Sequence, residues 1–76
     1  MPDYIFLKNK NNSNISTKYE TTDIKTISGI SIGDVVQGHT VKRFLIYLDT
    51  IVKTIVAELE NGDIISTNSN SFVKQS

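Results

Sequence analysis

The segment Thr50–Ile65, TIVKTIVAELENGDII, constrains the fold more than any other part of the chain. Its Thr, Ile and Val residues are stiff at χ1 and fit a pleated, half-buried surface better than a helix. Asn61-Gly62 then interrupts the apolar run, and Asn-Gly between two such runs is a strong short-range hairpin signal. The carboxyl half therefore reads as antiparallel β-structure.

A helical alternative competes for 43–60. Val41, Leu45, Leu48, Val52, Ile55 and Leu59 recur at alternating spacings of about four and three, the pattern of a helical stripe. Asp49 is placed to cap such a helix, and Gly62 to end it. Against the helix stand the consecutive apolar residues Phe44-Leu45-Ile46-Tyr47-Leu48 and the repeated Thr-Ile-Val, each with a helix-propensity cost. The fold class read from the sequence is all-β, a small antiparallel barrel or meander of five to six strands. The alternative is α+β with a helix at about 43–60.

Other strands follow from local pattern. Tyr4-Ile5-Phe6-Leu7 is a short apolar run ending in the polar block 8–14, an exposed loop. Residues 15–32 alternate roughly between apolar and polar, with Gly29 and Gly33 as punctuation, and predict one or two short strands. Ile32-Gly33-Asp34-Val35-Val36 delivers the chain into a strand over Val41–Leu48. Asp49-Thr50 is the expected turn into Ile51–Leu59, and Ile64–Thr67 the return arm of the hairpin. Asn68–Ser71 is a loop before Phe72-Val73.

The 76 residues read as a single small β domain, 1–76. A chain of this size buries only about 60% of its unfolded surface, so its stability is modest and little core is left to hold a catalytic cleft. It has no cysteine, hence neither disulfide nor thiolate metal site. Eight basic and eight acidic residues cancel, which is not the charge of a general phosphate-backbone binder. The start, Met1-Pro2-Asp3-Tyr4, does not resemble a signal peptide, and no apolar run nears the roughly 20 residues that span a bilayer. The expected location is the cytoplasm, with no membrane partner. Ile, Asn and Lys make up about a third of the chain, above average usage. Their codons are AT-rich, which points to a low-GC bacterium, its phage or its plasmid.

No constellation of catalytic residues stands out. His39 is the only histidine and has no second His or Cys as co-ligand, so it reads as a turn residue. No serine sits in a G-x-S-x-G elbow, and the glycines form neither a dinucleotide nor a P-loop motif. The expectation is a non-enzymatic protein, with no catalytic residues, cofactor or metal.

From Ile32 onward the order is Gly33-Asp34-Val35-Val36, a strand through Val41–Tyr47, then Ile55-Val56-Ala57-Glu58-Leu59-Glu60-Asn61-Gly62-Asp63-Ile64 and finally Phe72-Val73. This layout resembles SH3-like small barrels, the group that includes KOW and Tudor modules. In them a G-D-V-V entry precedes a meander, and a V-x-L-x-[DN]-G hairpin precedes a last strand. The resemblance implies architecture, over about the last 45 residues.

Two features carry functional expectation. Lys42 and Arg43, with Lys53 on the neighbouring strand, predict a small basic patch beside Phe44 and Tyr47, a combination suited to single-stranded nucleic acid. Phe44–Leu48 is apolar on both faces, and a small barrel is expected to bury only one of them. The other is then left for self-association or a protein partner. Tyr47 is the expected anchor, with Arg43 on the same face and Lys42 and Lys53 beside it. The function expected is a protein–protein interaction module, an accessory or inhibitor protein of a phage or mobile element that blocks a host defence enzyme. The alternative is a nucleic-acid-binding SH3-like barrel acting in transcription or recombination.

Overall fold

Strand, not helix, occupies both sides of the contested segment. The computed structural model describes residues 3–48 and 51–75. Its elements are β1 (Tyr4–Lys8), β2 (Ser16–Thr21), β3 (Thr26–Ile27), β4 (Ile30–Ser31), β5 (Val35–Val36), β6 (His39–Leu48), β7 (Lys53–Leu59) and β8 (Ile64–Ser66). Among the described residues there is no helix, so the fold is all-β and the α+β alternative falls. The Asp49-Thr50 turn lies outside the described residues.

One sheet runs in the order β1-β2-β6-β7-β8, with β5 also on β6, and β3-β4 form a separate pair. All pairings are antiparallel. The β6–β7 ladder runs from Leu48↔Lys53 to Val41↔Leu59 and shifts register between Val41 and Arg43. Lys42 is the extra residue of this bulge. Without it Val41 and Phe44, three apart, would point to opposite faces. With it, both enter one core with Ala57 and Leu59. The bulge breaks the helix-like stripe of the sequence, because it sets Val41 and Leu45, four apart, in different cores. Leu45, a member of the supposed stripe, faces the other way.

The sheet therefore carries a core on each side. On one face Phe44, Ala57, Leu59 and Ile65 pack with Ile30, Val36 and Phe72, so β3–β5 and the carboxyl end cover that face. Phe72 meets Phe44 edge-on, ring centroids 6.3 Å apart. On the other face Leu45 and Val56 pack with Tyr19, flanked by Ile5, Leu7 and Ile64. Phe44 and Leu45 are 2% and 1% exposed, so the expectation that one face of 44–48 would be left bare fails at these two positions. The β1–β2 hairpin explains the difference: it supplies the second cover.

The hairpin reaches that position by curling. By register the start of β2 points toward the Leu48 end of β6, yet Lys10 in the β1–β2 loop lies 3.0 Å from Asp63, in the turn at the far end of β7. The hairpin must cross the sheet face to make that contact. The result is a small barrel-like curl. The β1–β2 loop itself is built by asparagine side chains bonding nearby backbone: Asn9 Oδ1 accepts from the Asn11 N–H at 2.8 Å, and Asn12 Oδ1 from the Asn14 N–H at 3.1 Å. This accounts for the polar block 8–14 as ordered loop.

The Asn61-Gly62 hairpin differs from the two-residue turn its sequence suggests. Gly62 has φ +93°, whereas Asn61 is not among the positive-φ residues. The Gly62 N–H donates to Leu59 O at 2.9 Å, and the Leu59 N–H to Asp63 O at 2.8 Å. That is a three-residue loop, a turn followed by a left-handed glycine. Asn61 serves instead by its side chain, which receives the Asp63 N–H at 3.1 Å and donates to Asp63 Oδ2 at 2.7 Å. Two-residue turns with positive φ at both positions occur instead between β3 and β4, at Ser28 (φ 55°) and Gly29 (φ 78°), and between β5 and β6, at Gln37 (φ 53°) and Gly38 (φ 79°).

Candidate functional site

β6 distributes the residues expected to bind a partner. Arg43, Leu45 and Tyr47 alternate onto one face, opposite Glu58, Val56 and Thr54 of β7. Arg43 and Tyr47 thus share a face, as their spacing predicts. Leu45 between them is buried under Tyr19, so the exposed parts of Arg43 and Tyr47 are separated by a covered strip. Lys53, paired with Leu48, belongs to the opposite face, and Lys42 projects from the bulge. The four residues do not form one patch, and the basic cluster beside Phe44 and Tyr47 is not assembled.

Charge pairing divides them further. Arg43 donates through Nε to Glu58, whose side chain is only 8% exposed. Lys53 Nζ lies 3.9 Å from Glu20 Oε1. Lys10 pairs with Asp63, and Lys74 lies 3.7 Å from Asp34. Cations whose field is answered by a neighbouring carboxylate give little attraction to phosphate at a distance. His39 is exposed at the start of β6, beside the Gln37-Gly38 turn.

Tyr47 is 37% exposed, and its ring lies 5.8 Å from that of Tyr19 in a tilted pair. Tyr19 is buried, and its hydroxyl titrates above the ordinary tyrosine value: burial is the main cause and the neighbouring Tyr47 the next. The pair presents one half-wet aromatic ring backed by a dry one, a stiff support for a contact residue.

The largest apolar side chains at the surface are elsewhere. Phe6 is 66% exposed and Tyr4 45%, both on the outer side of β1, whose Ile5 and Leu7 turn inward to the second core. Lys18 Nζ sits 4.2 Å above the Tyr4 ring. Ile51, just before β7, is 90% exposed. Sequence reasoning finds the strand at 4–7 and misses its outward pair. The run YIFL is apolar at every position, so nothing in its pattern separates inner from outer residues.

A cleft of about 260 Å³ marks the seam between β1 and the start of β8, with Leu7, Lys8, Lys10, Tyr19, Asp63 and Ile64 in its walls. Asp63 titrates below the ordinary carboxylate value, chiefly because the Asn61 carboxamide donates to it and secondly because Lys10 does. Among the described residues no group of three His, Asp or Glu side chains is placed to hold a metal ion, and no helix is long and apolar enough to cross a membrane.

Comparison with known proteins finds no matching family model, no matching curated protein and no matching solved structure. The architecture stands as a small antiparallel all-β domain with a barrel-like curl.

Proposed function

We propose that this protein is a non-enzymatic protein–protein interaction module, an accessory or inhibitor protein of a phage or mobile element that occupies the surface of a host defence enzyme. The observation that carries this reading is the outer side of β1. Two aromatic rings, Tyr4 and Phe6, stand side by side on the solvent face of one strand, 45% and 66% exposed, whereas Phe44, Phe72 and Tyr19 are buried. Exposed aromatics on a rigid strand supply contact area at small entropic cost, the usual make-up of a binding hot spot. Tyr47, braced by Tyr19, is a second anchor, with Arg43 on its face. The curled sheet and its β6–β7–β8 meander support reading the architecture as an SH3-like small barrel. The phage or mobile-element origin rests on the Ile, Asn and Lys bias alone.

The test is biological and direct. A host carrying a defence nuclease is challenged with a susceptible phage, with and without this protein, across a panel of nuclease types. The expected result is restored plating against one type, lost again in Phe6→Asp or Tyr47→Ala protein that still melts cooperatively. Unchanged plating throughout, together with firm retention on heparin at low salt, would overturn the proposal in favour of nucleic-acid binding.

A further inference from the structure

We infer that β1 is a self-pairing edge: two copies of this chain join antiparallel through Tyr4–Lys8, with the two-fold axis at Phe6. The inference is independent of any host target.

The hydrogen-bond phase of β1 sets which groups are free. The Thr21 N–H donates to Asp3 O at 2.8 Å and the Asn9 N–H to Ile15 O at 2.8 Å. Ladder bonds in an antiparallel pair recur every second residue. With Ile5↔Tyr19 and Leu7↔Thr17 in the same register, the odd residues of β1 bond to β2. The N–H and C=O groups of Tyr4, Phe6 and Lys8 therefore point away from it. β1 ends the strand order, so no strand of the sheet answers them. Such an edge is a template for another strand unless proline, a bulge, charged side chains or a covering element blocks it, and the one charge of Tyr4–Lys8 is Lys8 at its end. Tyr4–Lys8 contains neither proline nor bulge.

The occupant follows from the strand's own pattern. One antiparallel register pairs all of Tyr4–Lys8 with a second copy, and it places Phe6 opposite Phe6, Tyr4 opposite Lys8 and Ile5 opposite Leu7. The outward-bonding residues then face one another, so each such pair exchanges both N–H···O bonds. The register sets Lys8 of each copy opposite a neutral Tyr4 ring and four residues away from the other Lys8. The chain's balanced charge adds no net repulsion. Ile5 and Leu7 extend the second core of one copy toward that of the other.

Area sets the strength. Aromatic side chains bury about 150–250 Å² each when fully covered, so the exposed parts of Tyr4 and Phe6 offer on the order of 200 Å² per copy. This is well below the roughly 800 Å² per partner of a stable complex. The dimer is therefore weak and reversible, and favoured by high protein concentration.

Cysteine pairing tests the register, since the chain has no cysteine of its own. Hydrogen-bonded partners in an antiparallel pair have Cα atoms about 5.5 Å apart, within disulfide range. Tyr4→Cys and Lys8→Cys proteins, mixed under mild oxidation, should cross-link to each other at least tenfold faster than either does alone. In either protein alone the two cysteines would lie four residues off register. Sedimentation of the unmodified chain should show mass rising toward twice the monomer at high concentration, and Tyr4→Pro should abolish the rise. Proline there removes an outward N–H and leaves the ladder to β2 intact. A monomer at millimolar concentration, or equal cross-linking in the mixture and the single variants, overturns the inference. Either result leaves the plating experiment unaffected.

Discussion

Phe44 and Leu45 are adjacent in β6, are 2% and 1% exposed, and belong to different cores on opposite faces of one sheet. A strand buried on both sides needs two covers, and 76 residues supply them by unequal means. One cover is assembled from β3–β5 and Phe72. The other is the β1–β2 hairpin folded across the sheet. Aromatic surface that β6 would have shown is moved to the outside of that hairpin, at Tyr4 and Phe6.

Both covers should matter to stability. Phe44→Ala and Leu45→Ala each open a cavity in a well-packed core, at roughly 3–5 and 2–5 kcal/mol. In a domain of this size either loss removes much of the total. Urea melts of the two variants should shift by comparable amounts. A Leu45→Ala protein as stable as the parent would mean that the hairpin does not close on the sheet.

The strands were largely legible and the site much less so. Val41–Leu48, the Thr54-Ile55-Val56 stretch of β7 and the return arm Ile64-Ile65 show their state through β-branched and aromatic runs. Lys42 as a bulge has no signature, because a single inserted residue is an event of pairing, visible only when the partner strand is in place. The same bulge decides that Val41 joins Phe44. Arg43 and Tyr47 were correctly placed on one face because period-two alternation is local. That Lys53 lies on the other face required the cross-strand register with Leu48. The outward turn of Phe6 depends on the hairpin crossing the sheet, a long-range contact with no local trace.

The left-handed glycines give a second prediction. Gly62 and Gly38 have φ +93° and +79°, and a Cβ at either position would meet open space. Substitution is therefore opposed by backbone conformation and not by crowding. Alanine at each should destabilise by about 1–2 kcal/mol, and asparagine by less because it tolerates the left-handed region. Thermal melts of Gly62→Ala, Gly62→Asn, Gly38→Ala and Gly38→Asn rank the four. Equal melting of alanine and asparagine variants would contradict the assigned turn geometry.

Asp63 links the curl of the sheet to pH. Its carboxyl is held below the ordinary value of 3.8, first by the Asn61 carboxamide and then by Lys10. A carboxyl depressed in the folded state stabilises the fold above its unfolded value, and that contribution disappears as pH falls through the folded one. The melting-temperature difference between the parent and Asp63→Ala should thus be present at neutral pH and shrink below about pH 4. Salt should shrink it as well, since the group is exposed. A difference that grows on acidification would exclude this role.

Arg43 and Glu58 predict a coupled pair. Glu58 is 6% exposed and needs its cation, so Arg43→Glu sets two carboxylates together on a buried site. That variant should lose stability, as should Arg43→Ala. The loss stays at or below the roughly 3–5 kcal/mol of a fully buried pair, because the Arg43 side chain is 36% exposed. The double variant Arg43→Leu/Glu58→Leu should recover most of it. Arg43→Glu is consequently unsuited as a probe of partner binding at constant stability. A double variant no better than Arg43→Ala would mean that the pair is not coupled.

Tyr47 is the better probe, because its two roles separate. Its ring is 37% exposed and touches Tyr19, so truncation forfeits one tilted aromatic pair and part of a half-buried side chain. Tyr47→Ala should destabilise by on the order of 1 kcal/mol, and Tyr47→Phe, which keeps the ring, by less. If Tyr47 anchors a protein partner, Tyr47→Ala weakens the plating effect well beyond what that loss of folded protein allows. Tyr47→Phe then distinguishes the ring from its hydroxyl. A variant whose function falls only in proportion to its folded fraction assigns Tyr47 to packing against Tyr19, and leaves the partner surface to Tyr4 and Phe6.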